Sequence, residues 1–258
     1  MNTIAIVTGA SRGIGLALAE QLARECTILV TVARTESLKS VAKITEENHT
    51  IHHHFVADLS DTIDVRNLCS KLSTILQKKA DRYLLINNAG VLGPMVQYNG
   101  LTPGLSAEID NAFHINVAAA ITLSSAFLRD MAKHINTSTE TDKPSIQIIN
   151  ISSGAGRSAY PGWGVYCATK AALDRYSEVV QLEAPWAQIV ALAPGVVDTN
   201  MQENIRSSDE KDFPNLQRFK DLHANQGLSA PADVAAKILA YSLSPDFGKQ
   251  TLADIRKI

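Results

Sequence analysis

Residues 3–23 read TIAIVTGASRGIGLALAEQLA. The first six, Thr3–Thr8, are β-branched or small and apolar, and they predict a buried strand. Gly9, Gly13 and Gly15 follow at once, and a helix pattern begins after them. Glycines at a strand-to-helix turn let the main chain approach a phosphate closely. The helix start then offers unpaired N–H groups and a partial positive charge. The spacing is G-x-x-x-G-x-G rather than G-x-G-x-x-G, and a tight connection alone could also use these glycines. Their place between a strand and a helix favours phosphate binding by the loop Gly9, Ser11, Arg12, Gly13, Ile14 and Gly15.

The same alternation repeats outward. Residues 27–34, TILVTVAR, predict a second strand. In a dinucleotide fold its end faces the adenosine ribose, where NAD enzymes place an acid. Here Val32-Ala33-Arg34-Thr35 carries none. Arg34 and Arg12 are two planar cations suited to a 2′-phosphate, which points to NADPH. A polar helix is expected over 36–48, then a third strand in HTIHHHFVADLS. On a strand His52 and His54 share one face and His53 takes the other, so a three-ligand metal site is not expected. Asp58, beside Leu59 at that strand's end, either meets the adenine amino group or caps the next helix. That helix, over 61–79, leads to RYLLINNAG, whose Asn88, Ala89 and Gly90 lie at the end of a fourth strand, where ligands bind in open α/β sheets. Four strands alternating with helices predict parallel pairing.

In the second half, NISSGAGRSAYPGWGVYCATKAAL (150–173) opens with a buried strand over 146–151 and crosses a Gly/Pro loop to a helix. Tyr166 and Lys170 lie four apart there, on one helical face. A phenol ordinarily titrates near ~10. A neighbouring ammonium is expected to lower that value, and Ser153 could hold the oxygen of a carbonyl that Tyr166 protonates. A long helix is expected over 105–135, with a break near Asn116. Residues 188–193 predict another strand, followed by the turn Pro194-Gly195-Val196-Val197-Asp198-Thr199. Pro231–Leu243 predicts a closing helix, and residues 247–255 a last strand.

Composition narrows the classes. The 258 residues, 45% hydrophobic, suffice for one sizeable core. A net charge of -2 gives no reason to expect nucleic acid or a membrane surface. Cys26, Cys69 and Cys167 are scattered without a CxxC, which predicts free thiols and a cytoplasmic setting. No stretch is expected to reach membrane-spanning length, and MNTIAIVTGA reads as a first strand rather than a signal peptide.

TGASRGIG, NNAG and the Ser153…Tyr166-x-x-x-Lys170 set together resemble the short-chain dehydrogenase/reductase family over essentially the whole chain. The resemblance implies an α/β fold, a single Rossmann-type domain spanning 1–258 with a doubly wound seven-stranded parallel sheet. It makes Tyr166 the general acid, with Ser153 thirteen residues before it as its partner. Lys170 would hold the nicotinamide ribose, and Asn116 in FHINVAAA a water linked to Lys170. Pro194, Gly195, Val197 and Thr199 would lie over the nicotinamide. Residues 200–229 would form a substrate lid in which Met201, Phe213, Leu216 and Phe219 either cover a pocket or pack a static helix pair.

ALAPGVVDTNMQ (191–202) and NNAGVLGP (87–94) resemble the family branch of sepiapterin and benzil reductases, where Asp254 would contact substrate. The implied activity is NADPH-dependent reduction of a small-molecule ketone or vicinal dicarbonyl by a homodimer or homotetramer. A dinucleotide-binding scaffold without turnover, and an alcohol or 3-oxoacyl oxidoreductase, are the alternatives.

Overall fold

Alternation along each strand sets the layers of this α/β domain. In β1 (Thr3–Thr8), Ile4 and Ile6 face one side and Ala5 and Val7 the other, all of them buried. A strand buried on both faces needs helices on both, and a parallel sheet supplies them through its crossovers. The computed structural model describes residues 1–258 apart from the side chain of Glu140. The other strands are β2 (Ile28–Ala33), β3 (Ile51–Val56), β4 (Arg82–Asn87), β5 (Ser145–Ile151), β6 (Gln188–Ala193) and β7 (Leu252–Asp254). All seven are parallel, in the order β3-β2-β1-β4-β5-β6-β7.

The helices are α1 (Gly13–Leu22), α2 (Lys39–Glu47), α3 (Thr62–Leu76), α4 (Ser106–Phe113), α5 (Ala119–Thr137), α6 (Gly164–Glu183), α7 (Asn200–Arg206), α8 (Leu216–Ala224) and α9 (Pro231–Leu243). α1, α2 and α9 bury Leu18, Val41 and Ile238 against one face of the sheet. α3 and α5 bury Leu68, Leu72, Leu123 and Phe127 against the other, joined by Val180 of α6. The order reverses between β1 and β4, and a crevice opens at the C-terminal ends of the strands there.

Several boundaries differ from the sequence reading. α3 starts at Thr62 because the Asp61 carboxylate accepts from the N–H groups of Ile63 (2.6 Å) and Asp64 (3.3 Å). Asp58 therefore does not cap that helix. Its Oδ1 instead accepts from the N–H and hydroxyl of Ser60. β7 is short: Phe247 is not in it but packs on Tyr241 with ring centroids 5.2 Å apart. The break expected near Asn116 is present, as a π-turn at His114–Ala118 between α4 and α5. Contrary to expectation, the 35 residues Pro103–Thr137 are long and apolar enough to cross a membrane on length and composition alone. Half of the apolar window is buried inside the domain. Thr31 Oγ1 meets His52 Nε2 at 2.8 Å and His54 Nδ1 at 2.9 Å, so one hydroxyl uses both imidazoles of that face.

Candidate active site

The crevice is a cleft of about 550 Å³ that runs from the Gly loop, past the ends of β4 and β5, to α7 and α8. Its wall includes Gly9, Ser11, Arg12, Gly13 and Ile14 of the first loop, and Arg34, Asp58 and Leu59 beside it. Asn88, Ala89 and Gly90 follow, then Ser153, Tyr166 and Lys170, then Pro194, Gly195, Val197 and Thr199. Of the residues expected at the cofactor, Gly15 is not in this wall. A Cβ there would lie 2.2 Å from the Gly9 carbonyl oxygen and 2.3 Å from Asn88 Nδ2, so its contribution is close packing of helix on loop. Asn88 completes that joint by donating from Nδ2 to the carbonyls of Thr8 (3.0 Å) and Gly9 (3.2 Å).

The first loop fits a dinucleotide. Gly9 (φ 65) and Gly13 (φ 56) hold left-handed backbone that a side chain would strain. A Cβ on Gly9 would meet Ala89 Cα at 2.8 Å, so the loops after β1 and β4 touch at the reversal point. No side chain caps α1, which leaves its first N–H groups for an anion. Arg12 and Arg34 are both exposed at the same end of the cleft.

Ser153, Tyr166 and Lys170 meet where β5 ends and α6 begins. Lys170 Nζ donates to the Ile151 carbonyl at 2.8 Å and lies 5.8 Å from the centroid of the Tyr166 ring. Burial lowers the Lys170 ammonium to about 8, against a smaller opposing pull from Asp174. Burial likewise pushes the Tyr166 phenol up to about 12, and its hydrogen bond with Ser153 only partly offsets this. The Tyr166 pKa is thus raised rather than lowered as expected, because desolvation dominates it.

The two serines separate cleanly. Ser152 donates to Asp174 Oδ1 at 2.5 Å. Asp174 Oδ2 in turn takes Arg157 Nε at 2.9 Å, and Arg157 also donates to the carbonyls of Ala191 and Ala253, at 3.0 Å each. Ser153 Oγ accepts from the Ala155 N–H at 3.1 Å and keeps its own proton to donate. Asn116 is committed to structure. Its Oδ1 accepts from Val91 N (2.8 Å), and its Nδ2 donates to Val91 O (2.8 Å) and Thr169 Oγ1 (3.0 Å). A water linking it to Lys170 would have to use the second Oδ1 lone pair or the main-chain carbonyl. A Cβ on Gly90 would stand 3.3 Å from Asn116 Oδ1 and 3.5 Å from Lys170 Nζ, so Gly90 keeps that small space open.

The far end of the cleft was the least legible part. Trp163 stacks on Phe213 (4.6 Å between centroids, 14°) and meets Tyr166 edge-on (5.5 Å, 73°). It also contacts Tyr160 (5.4 Å) and Phe219 (5.3 Å). Phe213, Leu216 and Phe219 pack into this cluster, while Met201, Gln202 and Ile205 of α7 line the cleft. Asp254 does not line it. Its Oδ1 holds Arg256 Nε at 2.9 Å, and Arg256 reaches the cleft instead. The Tyr160-Pro-Gly-Trp163 run carried the aromatic signal in the sequence, whereas nothing there separated Arg256 from an ordinary terminal cation.

The sequence profile of the family described as short chain dehydrogenase matches residues 3–210. The chain is 38% identical over 239 residues to a benzil reductase ((S)-benzoin forming) of Bacillus cereus, covering 90% of this chain and 91% of that protein. It is 34% identical over 247 residues to the sepiapterin reductase of Rattus norvegicus, covering 92% and 90%. Among solved structures, the KRED1-Pglu enzyme superposes with a TM-score of 0.78 at 27% identity, covering 96% of this chain and 99% of that one.

Proposed function

Since the chain belongs to the short-chain dehydrogenase family and is an oxidoreductase of that kind, we propose that it is an NADPH-dependent reductase of aryl ketones and vicinal dicarbonyls. The observation that carries this is the convergence of Ser153, Tyr166 and Lys170 on the wall that also holds the Gly loop, Arg12 and Arg34. The likeness to benzil and sepiapterin reductases supports the carbonyl class. The first N–H groups of α1 receive the diphosphate, and Arg12 and Arg34 take a 2′-phosphate. When bound, the dinucleotide supplies the hydride that reduces a carbonyl carbon.

The chain's own residues manage the oxygen. Ser153 donates to it and Tyr166 delivers a proton as negative charge builds there, leaving a secondary alcohol. A phenol held near about 12 stays protonated at neutral pH, which suits the acid of a reduction. Lys170 stands behind it as the cation that stabilises the phenolate once the proton has left. The free thiols support a reducing, cytoplasmic setting. Val179 and Leu182, exposed at 44% and 83% on α6, support a second copy packing there.

Tyr166→Phe tests the reading. Turnover with benzil should fall by about 10²-fold or more, while NADPH binding, read by fluorescence titration, stays close to that of the wild type. A mutant as active as the wild type removes Tyr166 as the acid.

A further inference from the structure

Five cations line the cleft, Arg12, Arg34, Lys170, Arg218 and Arg256, against one carboxylate, Asp58, among the described residues. Arg12, Arg34 and Asp58 stand at the end assigned to the adenosine, and Lys170 belongs to the acid–base set. Arg218 and Arg256 remain, and both stand at the aromatic end. Arg218 precedes Phe219, whose ring lies 5.3 Å from Trp163. The stem of Arg256 crosses Gly195, where a Cβ would meet its Cδ at 3.2 Å, and Tyr160 lies near enough to act on its charge. Tyr160 in turn contacts Trp163, which touches Tyr166. Arg256 is thus linked to Tyr166 through Tyr160 and Trp163, and the exposed Arg218 lines the same cleft.

Arg256 is held in place. Asp254 takes its Nε (2.9 Å) and one Nη2 proton, and accepts from its main-chain N–H at 3.0 Å. A guanidinium carries five N–H donors, so three remain for a second acceptor. The Asp254–Arg256 pair is close to neutral, and Arg218 adds a charge that the cleft wall does not balance. A neutral aryl ketone would leave these donors to water alone.

We infer that the substrate is an aryl ketone bearing a carboxylate, received by Arg256 and Arg218 while Tyr160, Trp163 and Phe219 hold the ring. The inference rests on the reductase reading above and names the substrate class for that site. Asp254 is then a positioning residue for Arg256, not a substrate contact.

The test is NADPH oxidation with matched pairs: aryl ketones and diketones carrying a carboxylate at the ortho, meta, para or α-keto position, each beside its methyl ester. The expected result is that at least one acid exceeds its ester in kcat/KM by on the order of tenfold. That ratio should fall toward one in Arg256→Gln and Arg218→Gln, shrink in Asp254→Asn, and decline as salt rises from about 0.05 to 0.5 M. Tryptophan fluorescence titration of the NADP-loaded protein with the same pairs should give the same order of affinities. If every ester matches or exceeds its acid, the charge assignment is wrong and the reductase reading stands. If the Gln variants raise the NADPH KM and leave the ratio alone, the arginines serve the cofactor and the assignment is equally wrong. If no ketone in the series oxidises NADPH, the reductase reading fails and takes this inference with it.

Discussion

At Tyr166 the opposing influences are burial, which favours the neutral phenol, and Ser153, which favours the phenolate. Burial wins. Lys170 shifts the other way, to about 8, because its charged form is the one burial penalises. The sign follows directly. Below about pH 8 Lys170 is charged and Tyr166 protonated, so kcat/KM for reduction should be level. It should fall as pH rises through about 8 and Lys170 loses its proton, with Tyr166 still protonated. A rate profile from pH 6 to 10 checks this, and a flat one would remove Lys170 from the proton path. Gly162 is a second residue whose role is local. It has φ 87, and a Cβ would sit 2.2 Å from the Asp212 carbonyl oxygen, where the catalytic loop meets the chain before α8. Gly162→Ala should lower stability by about 2 kcal/mol, read by urea unfolding.

The elements around the site are joined by buried polar groups as well as by apolar packing. The π-turn between α4 and α5 turns Asn116 toward the loop after β4, where its amide acts as a strand-like partner for both main-chain groups of Val91. Ser152, Asp174 and Arg157 tie β5 to α6 and, through carbonyls, to β6 and β7. Asp174 is buried and takes both Ser152 and Arg157, whereas Arg157 itself reaches solvent. Asp174→Ala should therefore cost about 2 kcal/mol, from the lost hydrogen bonds and the Ser152 hydroxyl left without its acceptor. The adjacent serines should behave differently. Ser152→Ala should lower the unfolding midpoint, at about 1–2 kcal/mol, with the smaller loss of turnover. Ser153→Ala should cut turnover far more than stability. Denaturant curves and steady-state rates on the two variants decide between them.

Across the whole molecule, the order reversal between β1 and β4 puts the Gly loop and Asn88 side by side on the rim of one crevice. β5 and β6 then add Ser153 and Pro194 along the same rim. Cofactor preference belongs to this scale, since Arg12 and Arg34 come from different loops and line one cleft only in the folded sheet. The double change Arg12→Ala with Arg34→Ala should raise the KM for NADPH by on the order of 100-fold, as two charge-assisted contacts are lost. The KM for NADH should change little, and equal effects on both would exclude a 2′-phosphate contact.

Strand alternation, the glycine spacing and the Tyr166–Lys170 interval are short-range patterns, and the parallel pairing and the crevice at the strand ends followed from them, while the seven-stranded order and the choice of Ser153 came with the family resemblance. Such features were legible because each depends on the geometry of one strand, one turn or one helix. The raised pKa of Tyr166, the partners of Asn116, the bond of Ser152 to Asp174, and the use of Asp254 to hold Arg256 were not. Each depends on which distant segment lies within a few ångström and on how much water is excluded there. The strand alternation and turn glycines by themselves determined the fold and the end of the sheet at which chemistry can occur. Only the tertiary structure decided the electrostatics inside the cleft, because burial and charge partners are properties of packing between segments far apart in the chain.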